Sequence, residues 1–150
     1  MNCVGNGNNT EPTFEICNIC SPCKSINKGN FLDVIEVDAA SRTGVDGIRE
    51  IIDAVMYSPN NARFKVYIID EVHMLSNAAF NALLKTLEEP PENVKFIFAT
   101  TEIKKIPATI ISRCQRFDLQ RVDIDTLRTH LSKICESENI KFENDSLFQI

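Results

Sequence analysis

The chain alternates between short continuous apolar runs and longer stretches in which apolar residues return every three or four positions. Phe31-Leu32-Asp33-Val34-Ile35-Glu36-Val37 reads as a short strand ending in Asp38. Val45, Ile48, Ile51, Ile52, Val55 and Met56 then recur at helical spacing until Ser58-Pro59-Asn60-Asn61 stops the helix. Lys65-Val66-Tyr67-Ile68-Ile69-Asp70 lacks polar alternation, the pattern of a strand buried on both faces. Ser76 is placed to cap a helix whose Phe80, Leu83, Leu84 and Leu87 share one apolar face, and Pro90-Pro91 ends it. Val94-Lys95-Phe96-Ile97-Phe98-Ala99 predicts another strand, followed by Thr100-Thr101. A short helix is expected from Pro107 to Ser112 and a short strand over Arg116-Phe117-Asp118-Leu119. Asp123 to Glu138 is an amphipathic helix with Leu127, Leu131, Ile134 and Cys135 on one side, and Asp145 onwards reads as a further helix. Strands alternating with helices predict a parallel α/β sheet with helices on its faces.

Composition narrows the class. Apolar residues are 43% and charged residues 25% of the 150, which excludes a disordered tail, a collagen-like repeat and a coiled-coil rod. No run approaches the length of a membrane span, and the polar start Met1-Asn2-Cys3-Val4-Gly5-Asn6 lacks the features of a signal peptide. A soluble, cytoplasmic chain is therefore expected. Sixteen basic against twenty-one acidic residues give a net charge of −5. A domain that held DNA by its own field would usually be basic, so any nucleic-acid contact is expected to be shared among subunits or confined to a small face. The same charge disfavours a zinc-ribbon nucleic-acid binder.

Four of the six cysteines fall within the first 23 residues, and Cys17, Cys20 and Cys23 are separated by strict two-residue gaps. In a reducing compartment this clustering favours a metal over disulfides. Four thiolates, Cys3 with Cys17, Cys20 and Cys23, would close a tetrahedral Zn²⁺ site. The long gap from Cys3 to Cys17 has no such signature, so the spacing supports three ligands and leaves the fourth open. A cluster of free thiols is the alternative.

Asp70-Glu71 ends the most buried predicted strand, and in open α/β sheets ligands bind beyond the carboxyl ends of strands. Such an Asp can hold Mg²⁺ through water while the neighbouring Glu orients an attacking water. The alternative is an acidic pair that merely ends the strand. Thr101, past the next strand, could hydrogen-bond a terminal phosphate or its attacking water, or simply cap a turn. Arg113, in Ile110-Ile111-Ser112-Arg113-Cys114, could reach a phosphate on a neighbouring subunit, or pair with a surface carboxylate. His73 follows the acidic pair and is read as packing or capping locally, with no catalytic role. No G-x-x-x-x-G-K-[ST] occurs, and glycines 5, 7, 29, 44 and 47 form no phosphate cradle.

Taken together, these segments resemble the ATPase core of the bacterial replicative clamp loader, the gamma/tau family of DNA polymerase III subunits, within the AAA+ ATPases. The likeness is carried by Val37-Asp38-Ala39-Ala40-Ser41, Gly47-Ile48-Arg49-Glu50-Ile51, and Lys65 through Leu75 with its Ile68-Ile69-Asp70-Glu71-Val72-His73. It continues in Ala79 through Pro91, in Phe98-Ala99-Thr100-Thr101-Glu102 and in Ser112-Arg113-Cys114. The resemblance implies that Asp70 and Glu71 are the Walker B pair, that Thr101 is sensor 1, and that Arg113 is an arginine finger acting on the ATP of an adjacent subunit. It also implies a structural zinc module in which Cys17, Cys20 and Cys23 match the last three ligands. Cys3 would be the first, at a wider spacing than the family pattern has.

The implied organisation is a cysteine-rich module over residues 1–30, a partial AAA+ α/β core over 31–120, and the start of a helical lid over 121–150. The family's first strand, Walker A loop and helix have no counterpart in this sequence, nor do its sensor 2 arginine and collar. A fragment that folds poorly alone is the resulting expectation, and whether it is an active ATPase is left open. Implied cofactors are structural Zn²⁺ and, in the intact protein, ATP with Mg²⁺. Implied partners are the delta, delta-prime and further gamma/tau subunits, the sliding clamp, and primed DNA through the assembled complex, with no membrane. Polymerase catalysis itself is not encoded here. The rival within the family is a delta-prime-like docking module that offers Arg113 in trans without working ATP chemistry.

Overall fold

The computed structural model describes residues 1–5, 11–41 and 45–140. Its central feature is a sheet of three parallel strands in sequence order: β1 (Val34–Asp38), β2 (Lys65–Asp70) and β3 (Val94–Phe98). A helix returns the chain between each pair, α2 (Val45–Val55) after β1 and α3 (Asn77–Glu88) after β2. Before β1 comes the short α1 (Ser21–Asn27), and after β3 the single-turn α4 (Ala108–Ile111). These elements lie in a first compact unit, residues 1–115; a second begins at Arg116 and contains α5 (Ile124–Ser137).

The alternation of side chains along the strands explains where the core sits. Val37, Tyr67 and Ile69, with the half-buried Ile35, Phe96 and Phe98, share one sheet face. They join Ile48, Ile51 and Val55 of α2 and Ala79, Phe80 and Leu83 of α3 in one cluster. Tyr67 stacks on Phe96, its partner across the ladder, with ring centroids 5.4 Å apart. Its hydroxyl is buried without a hydrogen-bond partner among the described residues, and burial followed by the charge of Asp33 pushes its pKa up. On the opposite face Val66 is buried, Ile68 is half-buried and Ile97 is 43% exposed. Among the described residues no strand pairs with the outer edge of β1 or β3.

Buried polar groups tie the connections to this core. Asp33, 1% exposed, accepts from the amides of Asn60, Asn61 and Ala62 at 2.8, 2.9 and 3.0 Å. One carboxylate thus satisfies three donors of the loop that the Ser58-Pro59 stop creates. Lys65 is also buried, and its ammonium donates to the Ala54 and Tyr57 carbonyls at 2.9 and 3.4 Å, neutralising the open end of α2. The Asn2 side chain pairs with both backbone groups of Phe64, at 2.8 and 3.0 Å, and fixes the N-terminal segment beside the entry to β2.

Several expectations are corrected. Residues 116–119 are not a strand: they carry no ladder, Phe117 and Leu119 are exposed, and Arg116 instead bonds Asp118 at 2.6–2.8 Å. A strand exists only where a neighbour accepts its backbone hydrogen bonds, and none does so here among the described residues. Met56 leaves the apolar stripe because α2 ends at Val55, so it turns outward and is exposed. The predicted helix over 107–112 shrinks to α4, with Pro107 at its N-cap. The sequence reading missed α1, although Pro22 in its first turn is a start signal. Ser76 caps α3 by accepting from the Ala79 amide at 3.2 Å, as its position suggested, and Asp123 caps α5 through the Thr126 amide at 2.8 Å. The helix expected from Asp145 lies outside the described residues.

Replacing Asp33 with Ala leaves three amides without their acceptor. A hydrogen bond to a charged group contributes roughly 1.5–3 kcal/mol, so exchange of the Asn60, Asn61 and Ala62 amides is expected to accelerate at least tenfold. Unchanged protection of these amides would show that the loop holds itself without Asp33.

Candidate functional site

Parallel pairing brings the carboxyl ends of the strands level, so residues just past those ends meet. Asp38 stands opposite Asp70 in the register, and Ile69 opposite Phe98. Backbone bonding continues beyond the ladders. The Ala39 amide donates to the Asp70 carbonyl (3.0 Å), the Ala99 amide to the Ile69 carbonyl (2.9 Å), and the Val72 amide to the Ala99 carbonyl (3.0 Å). To reach that last position the chain must turn sharply after Asp70.

Glu71 makes the turn in the left-handed region, with φ 45° and ψ 44°. For a residue with a Cβ this costs roughly 1–2 kcal/mol. The other non-glycine residues with positive φ among those described are Asn18 and Asn139, the residue type that tolerates it. A glutamate held this way at a strand end is the kind of backbone strain that gathers at functional sites. The turn carries its carboxylate to the end of β3, where Oε2 accepts from the Thr101 hydroxyl at 3.1 Å and from the Thr101 amide at 3.4 Å. Asp70, one residue back, is exposed and accepts the Glu71 amide on Oδ1 at 2.8 Å. Asp70, Glu71 and Thr101 thus form one group.

His73 joins them. It lies on a 3₁₀ turn, Val72–Met74, with its side chain only 7% exposed. Its Nδ1 is 2.9 Å from the Thr100 hydroxyl oxygen and 3.2 Å from Glu71 Oε2, while Nε2 is 3.5 Å from Glu102 Oε1. The Lys105 ammonium bonds Glu102 at 2.7 Å and holds that carboxyl below its ordinary value. The signal available in the sequence was the polar run Thr100-Thr101-Glu102 directly after a strand that neighbours the Asp-Glu-x-His strand.

Arg113, past the end of α4, is not among the partners of Asp70, Glu71 or Thr101 in the described residues. It donates to the Glu88 carboxylate at the end of α3 and to the Thr109 carbonyl (2.6 Å). Its side chain stays 31% exposed.

The cysteines form a second candidate centre. The sulfurs of Cys3, Cys17, Cys20 and Cys23 all lie within 4.8 Å of one another, with Cys17 and Cys23 at 3.9 Å. A metal ion with bonds of about 2.3 Å to four thiolates sets sulfurs about 3.8 Å apart, whereas a disulfide needs about 2.05 Å. The four thiols, Cys3 included, are gathered at metal-ligand spacing, and the donor set suits a tetrahedral ion. Two devices bring them together. The Cys20 amide turns back onto Cys17 Sγ at 3.3 Å, and Arg63 and Asn2 anchor the segment that carries Cys3. The Cys23 amide, at the start of α1, lowers the Cys20 thiol to about 6. The Cys17 amide lowers Cys3, while burial pushes Cys23 up to about 12.

The profile of the family described as "DNA polymerase III, delta subunit" matches residues 2–123. The chain is 53% identical over all its 150 residues to the DNA polymerase III subunit tau/gamma of Haemophilus influenzae, spanning 21% of that protein. It is 57% identical over 136 residues, 91% of the chain, to subunit tau of Bacillus subtilis, spanning 24% of that protein. The chain belongs to the DNA polymerase III tau/gamma family. It covers about a quarter or less of the length of these two relatives. Among solved structures, a DNA polymerase III gamma subunit-related protein of Thermotoga maritima superposes with a TM-score of 0.60 at 31% identity, over 70% of this chain and 36% of that one. The RuvB Holliday junction branch migration motor of the same organism gives 0.61 at 15% identity, over 76% and 38%, a likeness of fold alone. The sheet and its helices are thus an AAA+ α/β core of this family. Among the described residues no helix is long and apolar enough to cross a membrane.

Titration with Co²⁺ is expected to give one tetrahedral thiolate complex per chain, and Cys3→Ser to weaken it by at least tenfold. Because thiol protons leave on binding, affinity should rise with pH, most steeply below about 6 and less steeply once the Cys20 thiol has lost its proton. A Cys3→Ser chain with unchanged affinity and spectrum would limit the site to three sulfurs.

Proposed function

We propose that this chain carries the hydrolytic half of the ATPase site in a clamp-loader subunit, which uses ATP to place a sliding clamp on primed DNA during replication. The observation that carries the reading is the strained Glu71 bonded to Thr101 beside an exposed Asp70. In this reading Asp70 holds Mg²⁺ through water and Glu71 orients the attacking water. Thr101 presents its hydroxyl toward the terminal phosphate. Arg113 acts on ATP bound by the adjacent subunit, for which it must leave or share Glu88. Mg²⁺ and ATP fit only in part. The carboxylates and hydroxyl are present, but these 150 residues contain no phosphate-binding loop, so the groups that cradle the triphosphate are supplied from outside them.

The cysteine cluster is the seat of a structural Zn²⁺, which four thiolates close completely. Residues 1–30 act as that zinc module, 31–120 as the AAA+ core and 121–150 as the start of the lid. The partners are the delta, delta-prime and other gamma/tau subunits, the clamp, and DNA through the assembly, in the cytoplasm.

A second reading, favoured by Arg113 standing apart from Asp70, Glu71 and Thr101 among the described residues, is a docking module that offers Arg113 while Asp70 and Glu71 stay silent. The two readings separate by mutation in the assembled complex. Glu71→Gln is expected to keep ATP binding and lower hydrolysis at least a hundredfold. Arg113→Ala should slow it by roughly 10³-fold, the lower end for an arginine finger. Loss with Arg113→Ala alone, and none with Glu71→Gln, would establish the docking module instead.

A further inference from the structure

We infer that His73 is a positioning residue for Glu71, an assignment that rests on the ATPase reading above. Its side chain is nearly enclosed, yet it touches three polar groups from two strand ends: Thr100 Oγ1, Glu71 Oε2 and Glu102 Oε1. A buried imidazole with so many polar neighbours does more than fill space, because each contact constrains the ring or its partner. Glu71 sits on a strained single-residue turn, and its carboxylate has rotational freedom that neither Asp70 nor the strand removes. Thr101 bonds Oε2 through its hydroxyl and amide, and His73 Nδ1, hydrogen-bonded to the Thr100 hydroxyl at 2.9 Å, lies 3.2 Å from the same oxygen. The two together fix the carboxylate in one orientation.

The protonation pattern follows from donor chemistry. A carboxylate accepts only, so Nδ1 must carry a proton for His73 to hold Glu71. If Nδ1 were bare, it would accept from Thr100 and face Glu71 as one acceptor against another. The tether therefore requires a particular nitrogen to be protonated. It also fixes which substitutions can replace it: the Asn side-chain amide falls where Nδ1 is, the Gln amide where Nε2 is. His73→Asn keeps a donor toward Glu71, whereas His73→Gln places one toward Glu102.

Two readouts test the assignment. In the full chain with ¹⁵N-labelled histidine, the spectrum of His73 is expected to show a protonated Nδ1, and Glu71→Gln to change it. In the assembled ATPase, His73→Ala and His73→Gln should each lower kcat about tenfold with KM for ATP within twofold. His73→Asn should recover most of the rate, and His73→Ala should add nothing to Glu71→Gln. Equal loss in the Asn and Gln variants, a bare Nδ1, or additive effects with Glu71→Gln would overturn the positioning role and reduce His73 to packing. Wild-type hydrolysis by Glu71→Gln would overturn the ATPase reading itself and the role built on it.

Discussion

The hydrogen bond from the Val72 amide to the Ala99 carbonyl is the constraint on which the strand-end site depends. It extends the pairing of β2 with β3 past the last ladder residues and forces the chain to reverse direction within Glu71. Val72 is almost fully buried, so its backbone cannot drift to relieve the left-handed turn. The strain is stored where it aims a carboxylate at Thr101. Without this bond Glu71 would be an ordinary exposed acid next to another, and the polar group of Glu71, Thr100, Thr101 and His73 would have no common centre.

The same logic of buried polar groups holding irregular backbone recurs around the sheet. Asp33 organises the loop before β2 by accepting three amides, and Lys65 closes α2 from inside the protein. Asn2 clips the N-terminal segment to Phe64, and the Arg63 guanidinium reaches the Cys3 carbonyl at 3.1 Å. The cysteine cluster is thereby tied to the residues that lead into the strand ending in Asp70. A metal ion held there would brace the start of β2, so the two candidate centres share one rigid element although their chemistries are separate.

Most of the sheet was legible because parallel strands write themselves as unbroken apolar runs, Lys65–Asp70 above all, and because Ser76 and Asp123 carry their caps in their side chains. Asp70, Glu71 and Thr101 could be placed together from the order of the strands alone. His73 could not, since its direction depends on the φ of Glu71, which no spacing rule encodes. Cys3 is brought to the other cysteines by contacts that Asn2 and Arg63 make across 60 or more residues of sequence. The expected strand at 116–119 failed for the opposite reason. An apolar–polar pattern is local, but a strand needs a partner.

The most direct test of the proposed ATPase site is ATP binding by these 150 residues, alone and after addition of a polypeptide that carries a phosphate-binding strand, loop and helix. The account predicts no binding alone, Mg²⁺-dependent binding on mixing, and its loss with Asp70→Ala. Binding by the chain alone that Asp70→Ala leaves intact, or none under either condition, would contradict it.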